Sequence, residues 1–257
     1  MTFPVYHLID GELVSSWETI DYVGVYAYAP NTFNRVEAFR TTEEFSDESI
    51  EGLNLNGDEQ FPLAERIGYA SAQYNCHAYA WCDGNTYSNY WINDPTGFFQ
   101  NNSCYTEVVT PVNGDIICYY YGTKIIHSGI VYEVNDQLSN NLCGNSNTVE
   151  VISKWGHSGA YLHNGYQCPY TTYVEHSVDS PAATTVKYFR YHSHSFSYSR
   201  NLGNPSVHTA HCNTCDYSYE EGHTYSDLPD GTYRCIKCKY VAVGQIIMSD
   251  QTDTFEE

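Results

Sequence analysis

The chain has 257 residues and a formal net charge of −20, from 31 acidic and 11 basic side chains. Such a surplus of negative charge repels the phosphate backbone of nucleic acid, so the composition argues against nucleic acid and anionic lipid as partners. No run approaches the roughly 18 to 20 consecutive apolar residues that a membrane span needs, so we expect no membrane span.

The start of the chain, MTFPVYHLIDGELVSSW, has no basic segment followed by an apolar one, so it predicts no signal peptide. Two localisations stay open: the cytoplasm, or a secreted or cell-wall-associated position after removal of a leader. The 26 tyrosines suit contact with peptide or glycan, because each combines an apolar ring with a hydroxyl group.

The first half of the chain predicts helix. Residues 41–60 carry a dense acidic cluster and are typical of an exposed loop or a frayed helix face. Residues 61–82 follow with small and apolar side chains at helical spacing, up to the turn signal Asp83-Gly84-Asn85. We therefore expect a helix or a pair of helices that carries Cys76.

From residue 106 the pattern changes to strands. The runs EVVTPV, GDIICYYYG, KIIHSGIVYEV and TVEVISKW are β-branched and aromatic, and they predict successive antiparallel strands. The polar segment 135–147 between the last two reads as a long hairpin loop. A helix followed by a meander predicts an α+β domain over residues 1–190, and the His- and Cys-rich composition beyond it predicts a small second module over 191–257 with an acidic tail.

Four cysteines in the second module have the spacing of a zinc ribbon. Two Cys-x-x-Cys knuckles, Cys212 with Cys215 and Cys235 with Cys238, are separated by 19 residues. Two thiolates in a tight turn can take two corners of a tetrahedron, and a second knuckle takes the other two. The pattern predicts a structural zinc ion that supplies the folding free energy of a module too small to bury a sufficient core. Two disulfides are the alternative in an oxidising compartment.

The module also contains a faint internal repeat. HSHSF before the first knuckle is echoed by HTY before the second, which places His194 and His223 in a His-x-aromatic position. Either of these, or His208 or His211, is an alternative ligand in place of a cysteine. Residues 190–242 resemble the His- and Cys-rich modules appended to extracellular proteins of Gram-positive bacteria, which implies docking to a protein or glycan partner.

Cys76 is a candidate nucleophile, because it opens the helical run CHAYAW and a helix N-terminus lowers the pKa of a thiol. A thiolate also needs a nearby histidine. His77 points about 100° away from Cys76 on a helix, which makes it a poor base. His127 is better placed, at the start of a predicted strand, with His157 and His163 as further candidates.

In order and spacing, YNCHAYAW, GDIICYYYG, HSGIVYEV and VEVISKWG resemble the NlpC/P60 and CHAP branch of the papain-like cysteine peptidases and amidases. The resemblance covers residues 60–170 and implies a helix packed on an antiparallel sheet. It implies Cys76 as nucleophile and His127 as general base and acid. Ser153 takes the orienting position, with His163 as the other candidate.

The same resemblance implies an oxyanion site at the Cys76 backbone N–H, assisted by Gln73, Tyr74 or Asn75. The chain departs from the family's pattern at Ser153, where the orienting residue is usually His, Asn, Glu or Asp, and at Asn75, where NlpC/P60 enzymes usually carry aspartate. The expected function is hydrolysis of an amide or peptide bond by a bacterial thiol enzyme, in peptidoglycan or a peptide. Acyl transfer or deamidation at the same Cys-His pair is one alternative, and a non-catalytic binding or adaptor module is another.

Overall fold

The computed structural model describes residues 1–28, 35–82, 89–100, 104–134, 149–177, 180–214, 217–229 and 232–242. Of these residues 48% lie in strands and 11% in helices. The chain forms two compact units, Met1–Ser193 and His194–Glu257. The predicted α+β class with a papain-like helix packed on a sheet is wrong, because the described residues form mostly β-structure in several sheets.

The error arises in the segment 61–82, whose spacing predicted helix. Only Cys76–Trp81 is helical there, and Glu65–Gly68 is a strand that pairs with Ala160–Asn164. Ala70 and Ala72 are buried in the core from a non-helical stretch between these elements. The spacing of small buried residues such as Ala70 and Ala72 therefore resembled that of a helix, although this stretch is not helical. The turn signal at 83–85 lies outside the described residues.

A seven-stranded antiparallel sheet forms the centre of the first unit. The predicted strands in GDIICYYYG, KIIHSGIVYEV and TVEVISKW are confirmed, and their antiparallel pairing is confirmed as well. The predicted hairpin loop 135–147 lies outside the described residues. In spatial order, with strands numbered along the chain, the sheet comprises β5 (Glu65–Gly68), β11 (Ala160–Asn164), β10 (Val149–Lys154), β9 (Lys124–Val134), β8 (Ile116–Tyr121), β12 (Thr185–Tyr191) and β7 (Tyr105–Val108).

The first 40 residues and a short strand at Trp91–Ile92 add two smaller antiparallel sheets that the sequence did not predict. One is a two-stranded hairpin and the other has three strands in the order β3-β4-β6. Their strands are β1 (Thr2–Ile9) and β2 (Glu12–Thr19), then β3 (Val23–Tyr28), β4 (Arg35–Arg40) and β6 (Trp91–Ile92).

The acidic segment forms a complete helix, α1 (Asp47–Gln60), rather than a loop. The hydroxyl of Ser46 caps it by accepting a hydrogen bond from the Ser49 backbone N–H at 3.2 Å. One face packs against β1 so closely that a Cβ on Gly52 would lie 1.8 Å from the Tyr6 carbonyl oxygen. Only glycine fits at that contact, which is why a helix of low apolar content can still dock.

The second helix of the described chain, α2 (Cys76–Trp81), packs on one face of the large sheet. Successive side chains of a strand project to opposite faces, and β8 buries both sets. Cys118 belongs to the apolar cluster that includes α2, whereas Ile117 and Tyr119 belong to the cluster on the other face. The large sheet thus has two covered faces, with α2 on one of them.

The second unit consists of two three-stranded antiparallel sheets in the orders β13-β14-β15 and β16-β17-β18. The first comprises β13 (Phe196–Arg200), β14 (Val207–Cys212) and β15 (Ser218–Gly222), and the second β16 (Tyr225–Asp227), β17 (Tyr233–Cys235) and β18 (Val241–Ala242). Within the described parts of the chain, no helix combines the length and apolar character that a membrane crossing requires.

Candidate functional site

Cys76 is the first residue of α2, and Asn75 is the N-cap. The Asn75 Oδ1 accepts hydrogen bonds from the backbone N–H of Ala78 and of Ile92, each at 3.2 Å. Its Nδ2 donates to the Ile92 carbonyl at 2.6 Å. The Asn75 side chain therefore holds the helix to β6, and its amide is occupied by backbone partners rather than directed at a substrate.

The Cys76 thiol is buried, with 5% of the residue exposed. Burial raises its pKa to about 11, against the opposing effects of hydrogen bonds from the Ser128 and His77 backbone and of the Lys154 charge. At neutral pH the sulfur therefore carries its proton. The position at a helix N-terminus, which predicted a reactive thiolate, is outweighed by the loss of water around the sulfur.

The structure does not pair His127 with Cys76. Ser128, the next residue on β9, faces α2: its Oγ lies 2.9 Å from the His77 Nδ1 and accepts a hydrogen bond from the Trp81 Nε1 at 3.2 Å. Because neighbouring strand residues project to opposite faces, His127 projects from the face away from α2. There its ring stacks on Tyr170, with centroids 3.8 Å apart and planes inclined by 8°.

His127 is fully buried, and among the described residues neither ring nitrogen has a hydrogen-bond partner. Burial holds its pKa well below the usual value, and the charges of His163 and His77 lower it further. The imidazole is therefore neutral and not oriented by a third polar group, as a general base would be.

Ser153 and His163 bind each other rather than His127. The Ser153 Oγ lies 2.8 Å from the His163 Nε2 and accepts a hydrogen bond from the Trp155 Nε1 at 3.1 Å. The His163 Nδ1 lies 2.8 Å from the Asn164 carbonyl oxygen, to which it donates. The predicted orienting residue and its alternative thus form a separate buried pair.

The remaining predicted residues near Cys76 have structural contacts. Burial raises the pKa of Tyr74 to about 12, and the Lys154 Nζ lies 4.9 Å above its ring centroid. The Gln73 backbone N–H donates to the Ser71 Oγ at 3.1 Å. For neither residue do the described contacts indicate an oxyanion site.

Lys154 was not predicted and is the most unusual charge of the first unit, because none of it is exposed. Its Nζ donates to the carbonyl oxygens of Ser71, Gly156 and Ser158 at 3.2, 3.0 and 2.5 Å. Burial lowers its pKa to about 7, while the Glu44 and Cys76 charges raise it. In sequence it is simply a lysine at the end of a strand, a position that is normally solvated, so no local signal distinguished it.

A cavity of about 430 Å³ lies beside Cys76. Its wall includes the aromatic and polar side chains of Trp91, Tyr121, Lys124 and Tyr170. The volume falls within the range of small-molecule pockets. Cys76 itself lines the cavity.

The second unit brings two histidines and two cysteines together: His208, His223, Cys235 and Cys238. One ligand atom from each lies within 4.8 Å of the others. The His208 Nδ1 is 3.2 Å from the His223 Nδ1 and 3.6 Å from the Cys235 Sγ, and the Cys238 Sγ is 3.4 Å from the His223 Nδ1. Two imidazoles and two thiols that converge in this way can hold a metal ion.

The surroundings of the cluster fit a metal site. The His208 ring is fully buried, and its Nε2, the nitrogen turned away from the cluster, lies 3.0 Å from the Glu221 carboxylate. A carboxylate on the outer nitrogen is the usual partner of a metal-binding histidine, because it fixes the tautomer. Burial raises the pKa of Cys235, but hydrogen bonds, first among them one from the Cys238 backbone, outweigh it and lower the pKa to about 6.

The predicted four-cysteine set is not the one that the structure assembles. Cys212 lies outside the cluster, and its Sγ is 3.3 Å from the His194 Nδ1 instead. Cys212 and His208 are four residues apart on the extended strand β14, which separates their backbones by about 13 Å. Cys215, the other predicted ligand, lies outside the described residues. His208 and His223, both predicted from the sequence as alternative ligands, join Cys235 and Cys238 in the cluster.

No protein-family model, curated protein or solved structure matches this chain. Nothing in these comparisons identifies the NlpC/P60 or CHAP family.

Proposed function

We propose that the second unit binds a structural zinc ion through His208, His223, Cys235 and Cys238. The observation that carries the proposal is the convergence of these four ligand atoms within 4.8 Å. Two nitrogen and two sulfur ligands are a usual donor set of tetrahedral structural zinc. With all four positions filled by protein, the ion has no open position for a substrate, and its role is to stabilise the fold.

Metal content per chain tests this proposal. We expect purified protein, loaded with zinc and then desalted, to lose zinc when Cys238→Ser removes one thiolate ligand. The control is Cys168→Ser, which changes a buried cysteine of the first unit and leaves the zinc content unchanged. Elemental analysis that finds equal zinc in wild type and Cys238→Ser contradicts the cluster as the binding site.

For the protein as a whole we propose a binding or adaptor role rather than thiol catalysis. A thiol of raised pKa and a histidine on the opposite face of the sheet support this choice, because nucleophilic catalysis needs the two within hydrogen-bonding reach. Hydrolysis of an amide or peptide bond, with a peptide or cell-wall substrate, stays a prediction, as do acyl transfer and deamidation.

The reactivity of Cys76 distinguishes the two roles. We expect iodoacetamide to label Cys76 slowly at pH 7, and the rate to increase with pH toward the pKa of about 11, since only the thiolate reacts. His127→Ala leaves this profile unchanged, because His127 does not contact the sulfur. Mass spectrometry of the labelled peptide measures the rate at each pH. Lys124→Ala is the control, because Lys124 lines the same cavity. Rapid labelling at pH 7 that is lost in His127→Ala but not in Lys124→Ala would contradict the adaptor role and support the hydrolase.

A further inference from the structure

The second unit repeats one local fold twice. In each three-stranded sheet the chain runs as an antiparallel meander, and the middle strand ends at the first cysteine of a Cys-x-x-Cys knuckle. Strand β14 ends at Cys212, and strand β17 ends at Cys235. A histidine precedes the first strand of each sheet by two residues, His194 before β13 and His223 before β16.

The strand registers of the two sheets correspond as well. The first residue of the first strand pairs with the cysteine in both: Phe196 with Cys212, and Tyr225 with Cys235. The residue before the cysteine pairs with the third strand in both, at Ser218 for the first sheet and at Val241 for the second. Cys212 and Cys235 therefore occupy equivalent places in equivalent sheets.

Two backbone hydrogen bonds around each knuckle are also equivalent. The backbone N–H of the cysteine donates to a tyrosine carbonyl five residues later, from Cys212 to Tyr217 and from Cys235 to Tyr240, at 2.8 Å in both. The next residue donates back to the residue after the histidine, and these bonds are Asn213 to Ser195 at 2.8 Å and Ile236 to Thr224 at 2.9 Å. The backbone around the cysteine and the histidine therefore has the same hydrogen-bonding pattern in both sheets.

The side chains follow the backbone. The His194 Nδ1 lies 3.3 Å from the Cys212 Sγ. His223 hydrogen-bonds the equivalent first cysteine, Cys235, and its Nδ1 lies 3.4 Å from the Sγ of the second cysteine, Cys238. Each histidine ring also packs on the tyrosine of its own knuckle, with centroids 4.6 Å apart for Tyr217 and 5.2 Å apart for Tyr240. In the first knuckle the Thr214 backbone N–H donates to the Cys212 Sγ at 3.4 Å. Imidazole nitrogen and sulfur therefore converge at both knuckles.

We propose a second zinc site, distinct from the four-residue cluster, to which His194 and Cys212 each contribute a ligand; both belong to a second group of histidine and cysteine side chains whose ligand atoms lie within 4.8 Å of one another. The separation of about 13 Å along β14 prevents one ion from binding both Cys212 and His208. The inference rests on the proposed function, since it extends the metal chemistry of the cluster to its structural copy.

Metal stoichiometry tests the second site and separates its failure from that of the first. We expect full-length wild type, loaded with zinc and desalted, to retain two zinc ions per chain by elemental analysis. His194→Ala and Cys212→Ser each lower the content to one, and so does Cys235→Ser. His211→Ala, one residue before Cys212 on an exposed position of β14, keeps both ions.

Cobalt substitution gives a second measurement that does not depend on the folding of any one variant. Cobalt bound to thiolate has charge-transfer absorption, so titration of wild type reaches its endpoint at two equivalents if both sites exist. An endpoint at one equivalent, lost in Cys235→Ser and kept in His194→Ala, overturns the second site and leaves the cluster intact. Wild type that retains no metal overturns both proposals.

Discussion

Chelation of zinc from the full chain is expected to unfold the described part of the second unit and to leave the first unit folded. The strands of the second sheet have only three, three and two residues, so this sheet buries too little apolar surface to be stable in isolation. Structural zinc binding is worth about 10–16 kcal/mol in small zinc-dependent folds. Metal removal should therefore shift the second unit from folded to unfolded, the largest effect that we expect in this protein.

The distribution of tryptophan makes this result measurable. All four tryptophans, at positions 17, 81, 91 and 155, lie in the first unit, so their fluorescence reports on that unit alone. We expect chelation to abolish amide dispersion in the NMR spectrum of the second unit, without a change in tryptophan emission. The His211→Ala variant serves as the matched control and responds to chelator as wild type does. Dispersed second-unit amides in metal-free protein would contradict a metal-dependent fold.

Replacement of Lys154 by methionine is expected to lower the free energy of unfolding of the first unit by about 3 kcal/mol. The variant leaves the carbonyl oxygens of Ser71, Gly156 and Ser158 without the Nζ donor that they share. The hydrogen bond to Ser71 is buried and the other two are partly buried, and each acceptor that loses its partner in such surroundings costs about 1 kcal/mol. The side chains of lysine and methionine are similar in length, so the loss of hydrogen bonds dominates over the loss of packing.

Urea unfolding monitored by tryptophan fluorescence measures the effect. Lys187→Met is the control, because Lys187 is 41% exposed and forms a surface ion pair with Glu107 at 2.9 Å. Surface pairs of this kind contribute about 0–1 kcal/mol. An equal shift in the two variants would mean that the Lys154 hydrogen bonds contribute no more than a surface ion pair.

The strands of the large sheet could be predicted from sequence because their signal is local. In β8 five of the six residues are β-branched or aromatic, in β9 six of the eleven are, and Gly122 lies at the turn between the two strands. The helical content could not be predicted in the same way. The acidic segment 41–60 has few apolar residues, yet α1 forms because Leu53 and the small Gly52 reach the core.

The candidate site near Cys76 could not be predicted, because it depends on which face of β9 carries which residue. A shift of one residue moves a side chain to the other side of a sheet. His127 and Ser128 are adjacent in sequence, and only the contacts of Ser128 with α2 reveal that the imidazole lies on the far side. The short motifs that suggested a Cys-His pair are compatible with either face.

The cysteine spacing predicted a metal-binding unit but not its ligands. Two Cys-x-x-Cys knuckles at a ribbon-like separation look the same in sequence whether they share one ion or each contribute to a different one. The arrangement became apparent from β14, which carries His208 and Cys212 at positions too far apart for one coordination sphere.

His208 lies on a strand of the first small sheet, whereas its cluster partners Cys235 and Cys238 belong to the second. An ion held by His208 and Cys238 acts as a reversible crosslink across roughly 30 residues, and in the unfolded chain closing such a loop costs about 3–4 kcal/mol of conformational entropy. Such an ion would crosslink the two sheets as a disulfide does. Unlike a disulfide, this crosslink can be broken by a chelator or by a fall in zinc concentration, without any redox chemistry.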